Sequence, residues 1–218
     1  MDFLTLVKQL REKSEKRNFE QTFDLIINLK DFDPRRESLN TFAELAHLAN
    51  KKRVCGFLEN QNNILEKTIT KIEIEKLESK DVKKLARDYD FFIASAKLMP
   101  LLAAKFGKIL GAMGKMPDPK MGGVIMQEND DALKNILEKL SKTIKIRAKD
   151  KGLKLAIGKE NMKDEEISKN IEIVYAAVVN GLPKRELNIK NIMLKFTMSH
   201  PVKMVLKQTQ NVKEKKKK

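Results

Sequence analysis

The chain has 218 residues, 41% of them apolar and 34% charged, and its 45 Lys/Arg against 30 Asp/Glu give a formal net charge of +15. That apolar share excludes a disordered polar chain and suffices for one large core or two small ones, while no run of about 18 apolar residues is present to span a membrane. A single cysteine, Cys55, excludes an intramolecular disulfide and reads as a buried thiol in a reducing cytosol.

Phe3, Leu4, Leu6, Val7 and Leu10 form one apolar stripe, which predicts a helix ending near Arg17. It carries acids and lacks the uninterrupted apolar stretch of a signal peptide. Phe19 to Lys30 alternates, with Phe23, Leu25, Ile27 and Leu29 on one side and Ile26 as the exception, a half-buried strand. Asp33–Pro34 starts a turn, and Leu39 to Leu48 is a second apolar-rich segment. Strands are then predicted at Val54–Leu58, Thr68–Ile74, Phe91–Ala94 and Gly123–Met126. Helices are predicted at Asn62–Glu66, Asp81–Asp88, Met99–Phe106 and Asp130–Lys142. Alternation of this kind predicts an α/β layer domain with a mainly parallel sheet.

After Thr143 the pattern changes. Thr143–Arg147 and Leu153–Ile157, separated by Lys149–Asp150–Lys151–Gly152, read as a hairpin. Asp164 or a neighbour starts a helix to about Asn180, closed by Gly181. Asn188–Met198 and Val202–Leu206 are strands joined across Ser199–His200–Pro201. These elements make a weak module alone but complement the first 47 residues. The predicted fold class is therefore α/β: a discontinuous α+β terminal domain, 1–47 plus 144–218, carrying an inserted three-layer α/β domain, 48–143. Two chain crossings would join the domains and form a hinge.

The basic excess is uneven. Residues 1–47 hold 8 Lys/Arg against 9 Asp/Glu, residues 48–143 hold 18 against 13, and residues 144–218 hold 19 against 8. The corresponding nets are −1, +5 and +11. A face of that sign attracts polyanions, nucleic acid first among them.

Residues 107–123, GKILGAMGKMPDPKMGG, hold five of the nine glycines and two of the six prolines, and read as a bent, Gly-rich loop. The loop fails the phosphate motifs. Taking Gly114–Lys115 as the Gly-Lys of a P-loop, position 109 is isoleucine and position 116 methionine, and no GxGxxG occurs. Leu110 to Lys115 echoes a KH-type GxxG loop, but Pro117–Asp118–Pro119 bars the helix that such a loop must enter. Neither His47 nor His200 stands at metal-ligand spacing with Cys55 or with the other histidine, and no nucleophile–base pair is recognisable. No cofactor or metal is expected.

The order Tyr89–Asp90–Phe91–Phe92–Ile93–Ala94, then Leu98–Met99–Pro100–Leu101, then Gly107 to Pro119 resembles the ribosomal protein L-one family, in its archaeal branch. The resemblance covers essentially the whole chain. Arg17 to Phe23 is similar to the family's RNF-x-Q-[ST]-[FV] strand entry, Asp33–Pro34–Arg35–Arg36 to its DPRR, and Leu45–Ala46–His47 to its LPH. Phe196 to Lys203 is similar to its TMGKPVK turn. Ala112–Met113 replaces the usual Pro–Arg, Ala46 a proline, and Ser199 a glycine. The resemblance implies a non-enzymatic protein of the large ribosomal subunit. It would bind rRNA, form the mobile stalk near the exit-site tRNA, and repress its own mRNA through a similar element. It implies a cytoplasmic, ribosomal protein, monomeric when free, with its main RNA face on the terminal domain.

The RNA-binding candidates are Asn18, Phe19, Gln21, Thr22, Lys149, Lys151, Lys154, Thr197, Met198, Ser199, His200 and Lys203. Short hydroxyl and amide side chains suit 2′-hydroxyls and phosphates, and the lysines supply the salt-dependent attraction. For Phe19, stacking on RNA and a place in the core are equally open. Lys108, Lys115 and Lys120 form a secondary RNA or tRNA candidate in the loop. The alternative function is an enzyme holding a phosphorylated ligand at that loop.

Overall fold

The computed structural model describes residues 2–34, 36–37, 39–47, 52–126, 128–148 and 150–204. In chain order the elements are α1 (Phe3–Lys13), β1 (Thr22–Leu29), β2 (Asn40–Glu44), β3 (Val54–Phe57), β4 (Lys67–Ile69), α2 (Lys71–Lys76), α3 (Ser79–Asp88), β5 (Phe91–Ser95) and α4 (Met99–Met113). There follow β6 (Val124–Ile125), α5 (Asp130–Lys142), β7 (Thr143–Arg147), β8 (Gly152–Lys159), α6 (Asp164–Gly181), β9 (Ile189–Phe196) and β10 (Val202–Met204). They fall into two units, Met1–Ala49 with Thr143–Lys218, and Asn50–Lys142. The mixture of helices and sheets is an α/β fold.

In the terminal unit β1 is central. It runs antiparallel to β8 on one side and β9 on the other, in a four-stranded sheet ordered β10-β9-β1-β8. Phe23, Leu25, Ile27 and Leu29 point to one face and are buried, as strict alternation requires. Helix α1 begins at Asp2, whose carboxylate accepts the Thr5 N–H at 3.1 Å, and buries Phe3, Leu6, Val7 and Leu10. Helix α6 carries Asp164, Glu165 and Glu166 in its first turn, the end where backbone N–H groups favour negative charge. Ile167, Ile171, Val174 and Val178 of α6 join Phe23, Ile27, Leu194 and Phe196 in one core.

The expected hairpin of Thr143–Arg147 with Leu153–Ile157 does not form. β7 pairs instead with β2 from Asn40↔Arg147 to Glu44↔Thr143, and β8 pairs with β1. Local turn chemistry cannot distinguish a hairpin from two strands claimed by different sheets. Gly181 does not close α6 through a left-handed backbone; the helix includes it and ends at Leu182. Its Cα faces the buried Leu39, and an added Cβ would stand 2.4 Å from Leu39 Cδ1. The glycine answers a packing need. Residues Leu48, Val205 and Leu206 of the predicted elements lie outside the described residues.

The other unit is a parallel sheet ordered β4-β3-β5-β6. Cys55, Phe57, Phe92 and Ala94 face a core built with Val82, Leu85, Leu102 and Phe106 of α3 and α4. Val54, Ile93 and Ile125 face Leu133 and Leu140 of α5. Helices thus cover both faces, in three layers, and strands buried on both faces read as continuous apolar runs. Cys55 is fully buried.

Three readings of this unit change. Asn62–Glu66 is an irregular, bent segment, not helix. The β-branched run Thr68–Ile74 divides: β4 stops at Ile69, and Thr70 caps α2, its N–H donating to the Glu73 carboxylate at 2.8 Å. The supposed loop starting at Gly107 begins as the second half of α4. Gly107 and Gly111 are helical, while Leu102, Phe106 and Leu110 bury the opposite face. A glycine costs about 1 kcal/mol in a helix interior, which the packing of those three side chains offsets. The chain turns only at Gly114, φ 69°, where Lys115 N–H reaches Leu110 C=O at 2.8 Å, and again at Gly122, φ 74°. Among the described residues no helix is long and apolar enough to cross a membrane.

Candidate nucleic-acid interface

The two ends of the sequence meet at one edge of the terminal unit. Pairing of Phe23 with Phe196 brings their ring centroids to 4.4 Å inside the core and sets residues 18–22 beside the turn 197–201. Thr22 N–H donates to Thr197 Oγ1 at 3.2 Å, and Met198 N–H to Gln21 Oε1 at 3.4 Å. Ser199 Oγ accepts the Phe196 N–H at 2.8 Å and donates to the His200 carbonyl at 3.2 Å. The turn is therefore held from below by its own hydroxyls and the Gln21 amide.

Much of the edge stays exposed beyond these bonds. Phe19 is 51% exposed and Met198 65% exposed, two large apolar side chains in water on the same edge. Phe19 is not a core residue. Asn18, Thr197, His200 and Lys203 are exposed as well, and Thr22 and Ser199 half-buried. Gln21 departs from its expected role: at 1% exposure it is buried and positions Met198 rather than presenting its amide. Its own N–H donates to Glu160 Oε2 at 3.2 Å, and the Glu160 N–H returns to the Gln21 carbonyl at 2.9 Å.

The lysines divide by position. Lys154 pairs with Ile26, Met193 also pairs with Ile26, and Lys203 pairs with Met193, so Lys154 and Lys203 share the sheet face away from the helices. Lys195, not anticipated from sequence, joins them through its pairing with Asp24. Burial raises the Asp24 pKa above its ordinary value, and the Lys195 charge opposes that shift. Lys151 is not part of this cluster. It precedes Gly152, the partner of Asn28 at the opposite end of β1 from Thr22, about 20 Å away at the rise of a strand. Lys149 lies outside the described residues.

Residues that sequence reasoning missed lie beneath the edge. The Arg11 guanidinium bonds Asp164 Oδ1 at 2.6 Å, the Met162 carbonyl at 2.6 Å and the Glu160 carbonyl at 2.9 Å, and lies over the Phe23 ring. It joins α1 to the β8–α6 connection. Asn170, fully buried, accepts the His47 N–H and donates to the carbonyls of His47 and Ile157. His47 is thus held through its backbone, its Nδ1 lying 4.0 Å from Glu166. No spacing rule announces partners 123 or 153 residues apart.

The secondary candidates separate too. Lys108 on α4 and Lys120 are exposed. Lys115 is half-buried, donates to the Tyr89 carbonyl at 2.6 Å, and has its pKa lowered by burial against the opposing pull of Asp90. Its place is structural. Gly123 is there because a Cβ would meet the Asp118 and Phe92 backbones at 3.1–3.4 Å. Among the described residues no group of three His, Cys, Asp or Glu side chains is placed to hold a metal ion.

An exposed edge of two apolar side chains and hydroxyls beside a lysine-bearing sheet suits shape recognition of folded RNA. Comparison with known proteins defines the class: the family model described as "Ribosomal protein L1p/L10e family" matches residues 10–200. The chain belongs to that family, whose members are structural proteins and not enzymes. It is 38% identical to the large ribosomal subunit protein uL1 of Methanocaldococcus jannaschii, covering 92% of this chain and 94% of the relative. The uL1 of Nanoarchaeum equitans is 34% identical, covering 91% and 97%. That of Methanothermobacter thermautotrophicus is 33% identical, covering 94% and 99%.

The departures from the family pattern now have places. Ala112–Met113 completes the last turn of α4. Ser199 has no left-handed φ, so the glycine it replaces is not required there for backbone freedom. Its hydroxyl instead ties the turn to Phe196.

Proposed function

We propose that this protein is a constituent of the large ribosomal subunit, cytoplasmic and bound to large-subunit rRNA through the edge formed by Asn18, Phe19, Thr22 and Thr197 to Lys203. The observation that carries the reading is family membership over nearly the full length of relatives named large ribosomal subunit protein uL1. Lys154, Lys195 and Lys203 supply phosphate attraction, and Phe19 and Met198 supply apolar contact. On the same reading the free protein is a monomer that forms the stalk near the exit-site tRNA, with Lys108 and Lys120 available to RNA. It also represses its own mRNA by holding a hairpin that mimics the rRNA element.

The test is filter binding of the full chain to a stalk rRNA fragment and to an unrelated duplex RNA, with salt raised stepwise. Preference for the stalk fragment that persists as salt rises supports the reading. Equal affinity for both RNAs sinks it. Competition by an RNA copied from the protein's own messenger tests repression separately.

A further inference from the structure

Beside the 197–201 turn, α1 and the start of β10 enclose a groove of about 370 Å³, within the size range of small-ligand sites, about 300–1,000 Å³. One wall is cationic, from Lys13 in the last turn of α1, and His200 lies across the groove from it. The other wall is apolar, made by the exposed Pro201 and the half-buried Val202 over the buried Leu10, with Gln9 also lining the groove. Ser199 belongs both to this groove and to the turn, so the groove is continuous with the exposed edge.

A bare anion would have no use for the apolar wall, and an apolar ligand would have none for the lysine. A nucleotide uses both: its phosphate meets lysine and its base and ribose lie on the apolar side chains. We propose that this groove receives one unpaired nucleotide of the bound RNA, with its phosphate at Lys13 beside His200 and its base against Pro201 and Val202. The inference rests on the RNA-binding reading above. It extends the interface onto α1, at a residue that no motif marks.

The experiment uses the full chain and the stalk rRNA fragment. Lys13→Gln is expected to lower the slope of log affinity against log salt by about one, as loss of one phosphate contact does. Lys8→Gln, on the same helix but outside the groove lining, is the control and should leave the slope as in the wild type. In a second arm, adenosine 5′-monophosphate at millimolar concentration should shift the amide resonances of Lys13 and His200 more than inorganic phosphate does. Equal slopes for Lys13→Gln and the wild type, or equal losses for both lysine variants, overturn the groove assignment. Equal shifts with inorganic phosphate overturn the nucleotide. Wild-type protein that does not prefer the stalk RNA refutes the underlying reading instead, so the two failures are distinguishable.

Discussion

Met198→Ala separates the interface from the fold. The side chain is 65% exposed and only its backbone N–H is engaged, so truncation should change folding stability by no more than about 0.5 kcal/mol. Full burial of a methionine side chain is worth about 1.5–3 kcal/mol. Burying the exposed two-thirds against RNA therefore contributes about 1–2 kcal/mol, and its loss weakens binding roughly five- to thirtyfold. The lost contact is apolar, so the salt slope should stay as in the wild type. The assay is filter binding to the stalk rRNA fragment at several salt concentrations, paired with thermal denaturation. Wild-type affinity in the variant would refute the contact. A melting temperature lowered by several degrees would refute the claim that Met198 is free of the fold.

Three further outcomes follow from buried groups. Asn170→Ala strands the Ile157 carbonyl and breaks both links to His47; urea denaturation should show a loss of about 2–4 kcal/mol, and a loss below about 1 kcal/mol would contradict the bonding described. Burial pushes the Cys55 thiol up to about 12 from its ordinary 9.0, against the opposing pull of Lys67. The native state therefore keeps its proton where the unfolded state releases it, so stability should fall as pH rises from about 9 to 12, and Cys55→Ala should remove that part of the decline. A thiol reagent at pH 8 should label Cys55 only after denaturant is added, and prompt labelling of the native protein would show the thiol is open.

Much of the fold was legible where physics is local. The period-two burial from Phe23 to Leu29 and the stripe of Phe3, Leu6, Val7 and Leu10 follow from pattern alone. So do the apolar runs around Cys55 and Ile93, because strands covered on both faces need no polar side. Partner choice was not legible. β7 left its chain neighbour for β2, since pairing depends on which edge lies nearby after folding. The glycines misled for a related reason: glycine signals both a turn and a close approach, and Gly181 serves the second.

For the candidate site the sequence by itself marked the segments, Asn18–Thr22 and Thr197–Lys203, because motifs and short polar side chains are local properties. Only the tertiary structure decided what each residue does there. Gln21 turned inward and Phe19 outward because strand pairing sets which side faces the core. Lys151 was carried to the far end of β1, while Lys195 and Lys13 were brought near. Charge composition sets the sign of the partner. Register and helix packing set where that charge stands, and those are decided by the core that all these segments share.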